Sequence, residues 1–278
     1  MAFHLITAEH RELIQKLVDK IPTTELGVIV KELSQLIYQV KNDIPEKRRI
    51  STGRYSIVKA LGVEIYPLLA ESGIEVLDFA SALFNYKKGD PFVRSLAVQL
   101  VSLYGLHTSD LEFIKPFFKR AAADRDWIVR ECASGLVRKL TKKYPQEMRE
   151  WYLVMVRSAD PNQRRFVSES LRPVVENRWF HKDSEYSLGV IRHLFKEPAP
   201  YPRTSVGNNL SDWMRVNREI TWPIVSELAL NGNRNSYWIA TRACRNLVKK
   251  DPIRVMDLLG VDEYRYKTRH FRREDYKD

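Results

Sequence analysis

Arginine and lysine side chains are the residues whose types and spacing most clearly suggest a chemistry. Arg242, Arg245 and Lys249 recur at intervals of three and four residues, which predicts one basic stripe on a final helix. A second cluster contains only arginines, at positions Arg157, Arg164, Arg165, Arg172 and Arg178. Because a guanidinium group can hold a phosphate through two parallel hydrogen bonds, these clusters predict a phosphate-rich partner.

The overall charge supports this interpretation. The chain has 46 Lys and Arg residues against 35 Asp and Glu residues, a net charge of +11. Such an excess attracts polyanions, although it can also serve solubility alone, and an acidic protein or RNA would be attracted in the same way. DNA is the partner that we favour.

Several classes of protein are excluded by composition. No apolar run approaches the roughly 18 residues that a membrane span needs, and the first 26 residues do not read as a signal peptide. Cys132 and Cys244 lie in apolar helical patterns, so we expect buried, reduced thiols and a cytoplasmic protein. The six histidines are scattered without metal-ligand spacing. We expect no metal and no cofactor.

A repeated helix start organises the chain. Asp90-Pro91 and Asp160-Pro161 each open an apolar helix, Asp126-Trp127 opens another, and looser copies begin near Pro202 and Tyr237. An Asp caps a helix N-terminus and a Pro fits its first turn. We align the Arg130 of one repeat with Arg165 of the next, 35 positions later. A period near 35 to 40 predicts an all-α, HEAT-like helical-repeat solenoid with a basic concave face.

The predicted domain organisation is simple. Residues 1–260 form a single HEAT-like helical repeat domain, and residues 261–278 form a basic C-terminal tail. The segment 41–54 is expected to be a polar, basic loop. The stretch from Tyr264 is expected to be mobile, serving either as a phosphate contact or as a solvated end. No sustained two-residue alternation predicts strands.

Two carboxylates lie on polar stripes of predicted helices. Glu131, Ser134 and Arg138 lie opposite an apolar face, and Asp212 closes a stripe with Ser205 and Asn208. Asn and Asp within a helix reduce its stability, so the second stripe needs a reason. Glu131 can simply pair with Arg138, and Asp212 can belong to a network that pins adjacent helices together.

The segment from Asp124 to Lys250 resembles a known family. The resemblance is to the HEAT-like alkylpurine DNA glycosylases, the AlkC and AlkD superfamily, and is closest to the AlkC branch. It rests on Trp127-Ile128-Val129-Arg130-Glu131, on Arg165 to Pro173 (RFVSESLRP), on Ser205 to Asp212 (SVGNNLSD), and on Trp238 with Arg242, Arg245 and Leu247 to Lys250.

The resemblance implies a DNA-repair glycosylase that acts as a monomer on double-stranded DNA containing alkylated bases. An N3- or N7-alkylated purine is cationic and leaves without a general acid. A carboxylate can stabilise the oxocarbenium-like sugar and position a water. The resemblance assigns these catalytic roles to Glu131 and Asp212. In this family the damaged nucleotide need not enter a deep pocket, unlike in base-flipping glycosylases.

Further residues follow from the same resemblance. It implies substrate contacts from Trp179, Arg165, Arg172, Asn208 and Asn209. It implies DNA-backbone contacts from Arg130, Arg138, Arg164, Arg242, Arg245, Lys249 and Lys250. Trp179 is the expected aromatic wall or else a core residue, and we assign Trp127 and Trp222 to packing.

The sequence departs from the family in two places. Five residues separate Pro173 from Trp179 where relatives keep a shorter link, and nothing after Gly260 is long enough for the additional β-rich domain of many AlkC relatives. A structure-specific DNA-binding protein without catalysis and a protein-interaction solenoid therefore remain the alternative functions.

Overall fold

Helix starts in the structure coincide with the Asp residues singled out in the sequence. The structure is a computed structural model that describes residues 5–49 and 52–276. The Asp90 side chain accepts a hydrogen bond from the backbone N–H of Phe92, and the Asp160 side chain accepts one from Asn162. Asp126 accepts from Ile128 in the same way. The predicted caps are confirmed.

The chain consists of two compact units, Met1–Lys143 and Tyr144–Asp278, where the sequence predicts one domain over residues 1–260. The helices of the first unit are α1 (Ala8–Lys20), α2 (Leu26–Asn42), α3 (Glu46–Arg49), α4 (Arg54–Glu71), α5 (Val76–Asn85), α6 (Pro91–Thr108), α7 (Leu111–Ala122) and α8 (Trp127–Lys143). Its α6 is almost wholly buried and packs against α4, α5 and α8. The predicted loop over residues 41–54 contains the end of α2 and the short α3, while residues 50 and 51 lie outside the described ranges.

The second unit repeats the same architecture. Its helices are α9 (Pro145–Met155), α10 (Pro161–Ser170), α11 (Ser184–Ile191), α12 (Pro200–Val216), α13 (Arg218–Leu230), α14 (Arg234–Ala243) and α15 (Pro252–Leu259). Helix α12 is central, because it packs against α10 on one side and α14 on the other. Both cysteines are buried and unbridged, and burial raises the pKa of Cys132 to about 11 and that of Cys244 to about 12.

A β-hairpin follows the last helix, so the expectation of a mobile tail is wrong. Strand β1 (Glu263–Tyr266) pairs antiparallel with β2 (Arg269–Arg272) across a two-residue turn. Lys267 in that turn has φ 54°, the left-handed conformation that tight hairpin turns use. Tyr264 is buried, and its hydroxyl donates to the Thr241 carbonyl oxygen at 2.6 Å. This bond fixes the hairpin to α14.

An arginine four residues after each of the caps Asp90, Asp126 and Asp160 closes the preceding turn. Arg94 donates through Nη1 to the Gly89 carbonyl, Arg130 to the Asp124 carbonyl, and Arg164 to the Ser158 and Ala159 carbonyls. The repeat equivalent of Arg130 is therefore Arg164, not Arg165 as the sequence alignment has it. The sequence register is wrong by one residue.

The same arginines reach forward to the next turn along the chain. Arg94 binds Asp124 with two N–H donors, both at 3.1 Å, and Arg164 binds Glu197 with two, at 2.7 and 2.8 Å. Arg203 donates to Asn235 at 2.5 Å. These side chains join consecutive hairpins within each unit.

Two properties of the described residues bear on possible partners. None of the helices within residues 5–49 and 52–276 combines the length and apolarity needed to cross a membrane. In the same part of the chain, His, Cys, Asp and Glu side chains do not gather in groups of three or more that could hold a metal ion.

Candidate functional site

Asp212 and Arg172 form the central ion pair of the second unit. Arg172 lies just after α10 and Asp212 lies on α12, 40 positions further along the chain. The Arg172 Nε and Nη2 atoms both donate to Asp212 Oδ2, at 2.8 and 2.5 Å. The Asp212 residue is only 5% exposed. Such a short, two-donor contact fixes the orientation of the carboxylate.

The second oxygen of Asp212 is less engaged. Nη2 of Arg215 lies 3.8 Å from Oδ1, which is longer than a hydrogen bond. Oδ1 therefore keeps acceptor capacity for a water or a sugar. The contact of Oδ2 with Arg172 also agrees with the alternative from the sequence, in which Asp212 belongs to a network that pins adjacent helices together.

Glu169 extends this network on α10. Its carboxylate accepts from Arg172 Nη1 at 3.1 Å and from the Ser205 hydroxyl, and lies 3.7 Å from Arg165 Nη2. Burial raises the pKa of Glu169, but the charges of Arg172 and Arg165 and these hydrogen bonds outweigh burial and leave the pKa below its ordinary value. The Arg165 guanidinium also stacks 4.4 Å from the Tyr201 ring centroid.

Asn208 connects α12 to the basic residues near α14. Its side-chain oxygen accepts from Arg242 Nε at 2.9 Å and from Arg245 Nη1. Arg245 also donates to the Ser211 hydroxyl at 3.3 Å. Helix α14 ends at Ala243, so Arg242, Arg245 and Lys249 do not share one continuous helix as predicted. The tertiary fold nevertheless brings Arg242 and Arg245 to the same acceptor.

Two residues implied as substrate contacts have structural partners instead. Asn209 is fully buried, and its amide donates to the Ser168 carbonyl at 2.7 Å, which ties α12 to α10. Trp179 lies in the 3₁₀ segment Val175–His181, with its ring centroid 4.4 Å from that of Phe180 and 4.7 Å from that of Tyr186. These ring contacts engage Trp179 with its aromatic neighbours, although the residue is half-buried and is not part of the buried core.

Two adjoining basic clefts lie in the second unit. One, of about 500 Å³, is lined by Ser211, Met214, Arg215, Arg218, Asn246, Leu247, Lys249 and Lys250. The other, of about 470 Å³, is lined by Arg245, Asn246, Lys249, Tyr266, Lys267, Thr268 and Arg269. They share Asn246 and Lys249. No carboxylate is among the residues that line them, so both clefts favour an anion.

Of the cations in these clefts, Arg245, Lys249 and Lys250 were expected to contact DNA. Lys267 and Arg269 belong to the basic stretch from Tyr264, for which the sequence left phosphate contact and a solvated end open. Sequence reasoning missed Arg215 and Arg218.

Glu131 lines a cavity of the first unit. The cavity has a volume of about 360 Å³ and is bounded by Tyr55, Phe92, Trp127, Ile128, Glu131, Cys132, Gly135 and Arg138. Glu131 and Arg138 both line this cavity, whereas Ser134, which the sequence places on the same stripe, is buried and does not line it. Trp127 is 62% exposed, so its assignment to packing is wrong. Trp222 is half-buried, with the Arg254 guanidinium 4.4 Å from its ring centroid.

The corrected repeat register reveals a shared pattern of polar positions. Counted from the capping residue, the fifth, ninth and twelfth positions are Glu131, Gly135 and Arg138 on α8, and Arg165, Glu169 and Arg172 at α10. Counted from the caps of α12 and α14, the ninth and twelfth positions are Asn208 and Ser211, and then Arg242 and Arg245, of which Arg245 lies beyond the end of α14. Counting from each cap would have found Glu169, which sequence reasoning quoted without assigning a role.

Comparison with known proteins identifies the fold. No protein-family model matches the chain, and no curated protein matches it significantly. Among solved structures, it is similar to the Pseudomonas fluorescens alkylpurine DNA glycosylase AlkC bound to DNA containing an abasic site analog, with 18% identity, a TM-score of 0.61, and coverage of 95% of this chain and 70% of that one. It is also similar to AlkD2 from Streptococcus mutans, with 18% identity, a TM-score of 0.60, and coverage of 76% and 97%. The predicted AlkC/AlkD HEAT-like fold is confirmed.

Proposed function

We propose that this chain, which has the HEAT-like fold of AlkC and AlkD2, is a DNA-repair glycosylase that hydrolyses the N-glycosidic bond of N3- or N7-alkylated purines. The AlkC neighbour is an alkylpurine DNA glycosylase bound to DNA, which supports DNA as the partner of this chain. The reaction needs a base that is already a good leaving group, a carboxylate that acts at the sugar, and side chains that bind the phosphate backbone.

The observation that carries the proposal is the Asp212–Arg172 pair. Asp212 Oδ2 is held by two donors of Arg172, and Oδ1 retains acceptor capacity. A carboxylate fixed in this way can stabilise the positive charge that develops on the sugar without reorganising during the reaction. It can also orient a water towards the anomeric carbon. Arg172 acts here by positioning Asp212.

Glu131 is the second carboxylate of the proposal. It belongs to the first unit and lines the cavity beside Trp127. Glu131 belongs to the first unit and Asp212 to the second, so each carboxylate is changed in a variant of its own.

In this proposal the basic clefts of the second unit bind the phosphate backbone of DNA. Seven cations line them, namely Arg215, Arg218, Arg245, Lys249, Lys250, Lys267 and Arg269. Arg242 remains a proposed DNA contact beside them, and Arg138 remains one in the first unit. We assign Arg130 and Arg164 to the turns that they close, because their donors bind backbone carbonyls and, for Arg164, Glu197.

A base-release assay on methylated duplex DNA tests the function. We expect the wild type to release 3-methyladenine, and Asp212→Asn to reduce the rate by roughly 10²–10³, the usual cost of removing one preorganised electrostatic contact. Glu131→Gln should also reduce the rate. Glu150→Gln, which changes an exposed carboxylate on α9, is the matched control and should retain full activity.

DNA affinity must be measured on the same proteins. Asp212→Asn is expected to bind DNA as tightly as the wild type, so that the loss is one of chemistry. If the wild type releases no alkylated base from any methylated duplex, the enzymatic proposal fails.

A second candidate function is structure-specific DNA binding without catalysis. The packing of Trp179 against Phe180 and Tyr186 favours it, because the implied aromatic wall is engaged elsewhere. This function predicts a preference for junctions over plain duplex, and no effect of Asp212→Asn or Glu131→Gln on that preference.

A further inference from the structure

The C-terminal β-hairpin has an inner face towards α14 and an outer face away from it. Directly paired residues of an antiparallel hairpin lie on the same face, and successive residues alternate between the faces. The Tyr264 hydroxyl bonds the Thr241 carbonyl oxygen, so Tyr264 lies on the inner face. Tyr266 and Arg269, which pair with each other beside the turn, share that face. One of the two basic clefts lies between this end of the hairpin and the residues that follow α14.

The cations of the two faces differ in their ionic partners. On the outer face, Arg265 lies 3.1 Å from a carboxylate oxygen of Glu263, and Arg272 lies 3.4 Å from one of Glu274. Within residues 5–49 and 52–276, the four cations that line the cleft form no ion pair with a carboxylate; they are Arg245, Lys249, Lys267 and Arg269. Like charges that the fold holds together repel each other, and a cleft lined by one sign of charge concentrates ions of the opposite sign. The inner face therefore favours an anionic ligand.

Neutral groups orient the cleft cations without reducing their charge. The Asn208 side-chain oxygen accepts from Arg245 Nη1, and the Ser211 hydroxyl accepts from Arg245 Nε at 3.3 Å. Asn246 Oδ1 accepts from Lys249 Nζ at 3.4 Å. A carboxylate in these positions could accept the same hydrogen bonds, but it would cancel part of the positive charge. The full charge is therefore retained for a ligand.

The charge of the cleft exceeds that of one phosphodiester group. A backbone phosphate carries one negative charge, whereas a phosphate monoester carries about 1.5–2 at pH 7 and presents three strong acceptor oxygens. Two hydroxyl groups, those of Tyr266 and Thr268, add neutral donors to the four cations of the lining. This donor set suits a dianion better than a monoanion.

We propose that the cleft, which accepts a backbone phosphate of continuous DNA, binds the terminal phosphate monoester of a DNA strand more tightly. The assignment rests on the proposed function, which makes DNA the partner. Hydrolysis of a phosphodiester bond beside an abasic site converts that group into a monoester and a hydroxyl group. The cleft would thus let the protein stay bound to the product of backbone incision, the class of reaction that consumes an abasic site.

Three nicked duplexes of one sequence test the site by fluorescence anisotropy. The first carries hydroxyl groups on both sides of the nick, the second carries a 5′-phosphate and the third a 3′-phosphate. The break and the remaining phosphates are shared, so a difference in affinity reports the terminal group. We expect the full-length wild type to bind one of the phosphorylated nicks about tenfold more tightly than the hydroxyl nick, the size of one charge-assisted hydrogen bond.

Two arginine variants of the hairpin locate the preference. Arg269→Ala removes a cation of the cleft, and we expect it to bind phosphorylated and hydroxyl nicks nearly equally. Arg265→Ala is the matched control, because Arg265 is also exposed but lies on the outer face of the same hairpin. Both variants lose one positive charge, and the control should keep the wild-type preference.

Asn208→Asp tests charge separately from shape. The aspartate can accept the same hydrogen bonds from Arg242 and Arg245, so the contact between α12 and the basic residues is kept. It adds a negative charge beside Arg245, and we expect the variant to lose most of the preference for the phosphorylated nick.

The outcomes separate this inference from the proposed function. Equal binding of the three duplexes by the wild type, or a preference that Arg269→Ala retains, overturns the terminal-phosphate site, even where the protein releases alkylated bases. A preference that Arg269→Ala and Asn208→Asp both lose supports the site, even where no base is released and the glycosylase proposal fails. A site for free phosphate would instead lose the preference in sodium phosphate but not in sodium sulfate of equal ionic strength, and that result overturns the assignment to a strand end.

Discussion

At the scale of single residues, positive and negative side chains alternate along a network of ion pairs in the second unit. Arg165, Glu169, Arg172 and Asp212 contact each other in that order. Two of the four are carboxylates, and both accept from Arg172. Removing one member leaves its buried partners without compensation, and this costs more than the intact pair contributes. The proposed function and the stability of the fold are therefore coupled at Arg172.

The pH dependence of stability reports on Glu169. Its pKa is lower in the folded chain than in the unfolded chain, so its contribution is present above the unfolded pKa of about 4.3 and is lost as pH falls through the folded pKa. We expect Glu169→Gln to lower the free energy of unfolding by roughly 1–3 kcal/mol at neutral pH. Urea denaturation of both proteins should show this difference shrinking at acidic pH. A difference that is constant across the pH range would contradict the assignment.

At the scale of secondary-structure elements, the turn-closing arginines have a different task from the cations of the clefts. Arg164 uses its donors on Glu197 and on two backbone carbonyls, and Glu197 is buried. The sequence presented Arg164 and Arg157 as members of one phosphate-binding cluster. The structure distinguishes the two, because Arg164 is engaged in the contacts above whereas Arg157 is exposed.

A pair of variants separates these roles. Arg164→Ala should destabilise the chain by roughly 3 kcal/mol, since it strands a buried carboxylate. Arg157→Ala should be close to neutral in denaturant unfolding. The salt dependence of DNA binding by folded Arg164→Ala should match that of the wild type, and a clearly weaker dependence would return Arg164 to the DNA contacts.

The β-hairpin offers a test on a single element. All four of these hairpin cations are exposed, but Lys267 and Arg269 line a basic cleft, whereas Arg265 and Arg272 do not. If the cleft binds phosphates, the double change Lys267→Ala/Arg269→Ala should reduce the slope of log affinity against log salt by about 2. Arg265→Ala/Arg272→Ala keeps the same net charge as that variant and should preserve the slope. Equal effects of the two pairs would argue against a cleft-specific contact.

At the scale of the whole molecule, the net charge of +11 sets the expected strength of the backbone interaction. The seven cleft cations fall within the range of six to ten phosphate contacts, for which affinity drops by roughly 10³–10⁵ between about 50 and 200 mM salt. We expect a drop of this size for plain duplex DNA in an anisotropy titration. Affinity that is insensitive to salt would favour a protein-interaction role.

The sequence by itself determined the helical class, the capped helix starts and the repeat, because caps and apolar periodicity depend on neighbours within a few positions. The resemblance to a family also singled out Asp212, Arg172 and Arg245 as candidate site residues. The tertiary structure decided which arginines close turns and which line clefts, and it decided that Tyr264 anchors a hairpin to α14. The physical reason is distance along the chain. Arg172 and Asp212 are separated by 40 positions, and only the packing of α10 against α12 brings their charges within hydrogen-bonding reach.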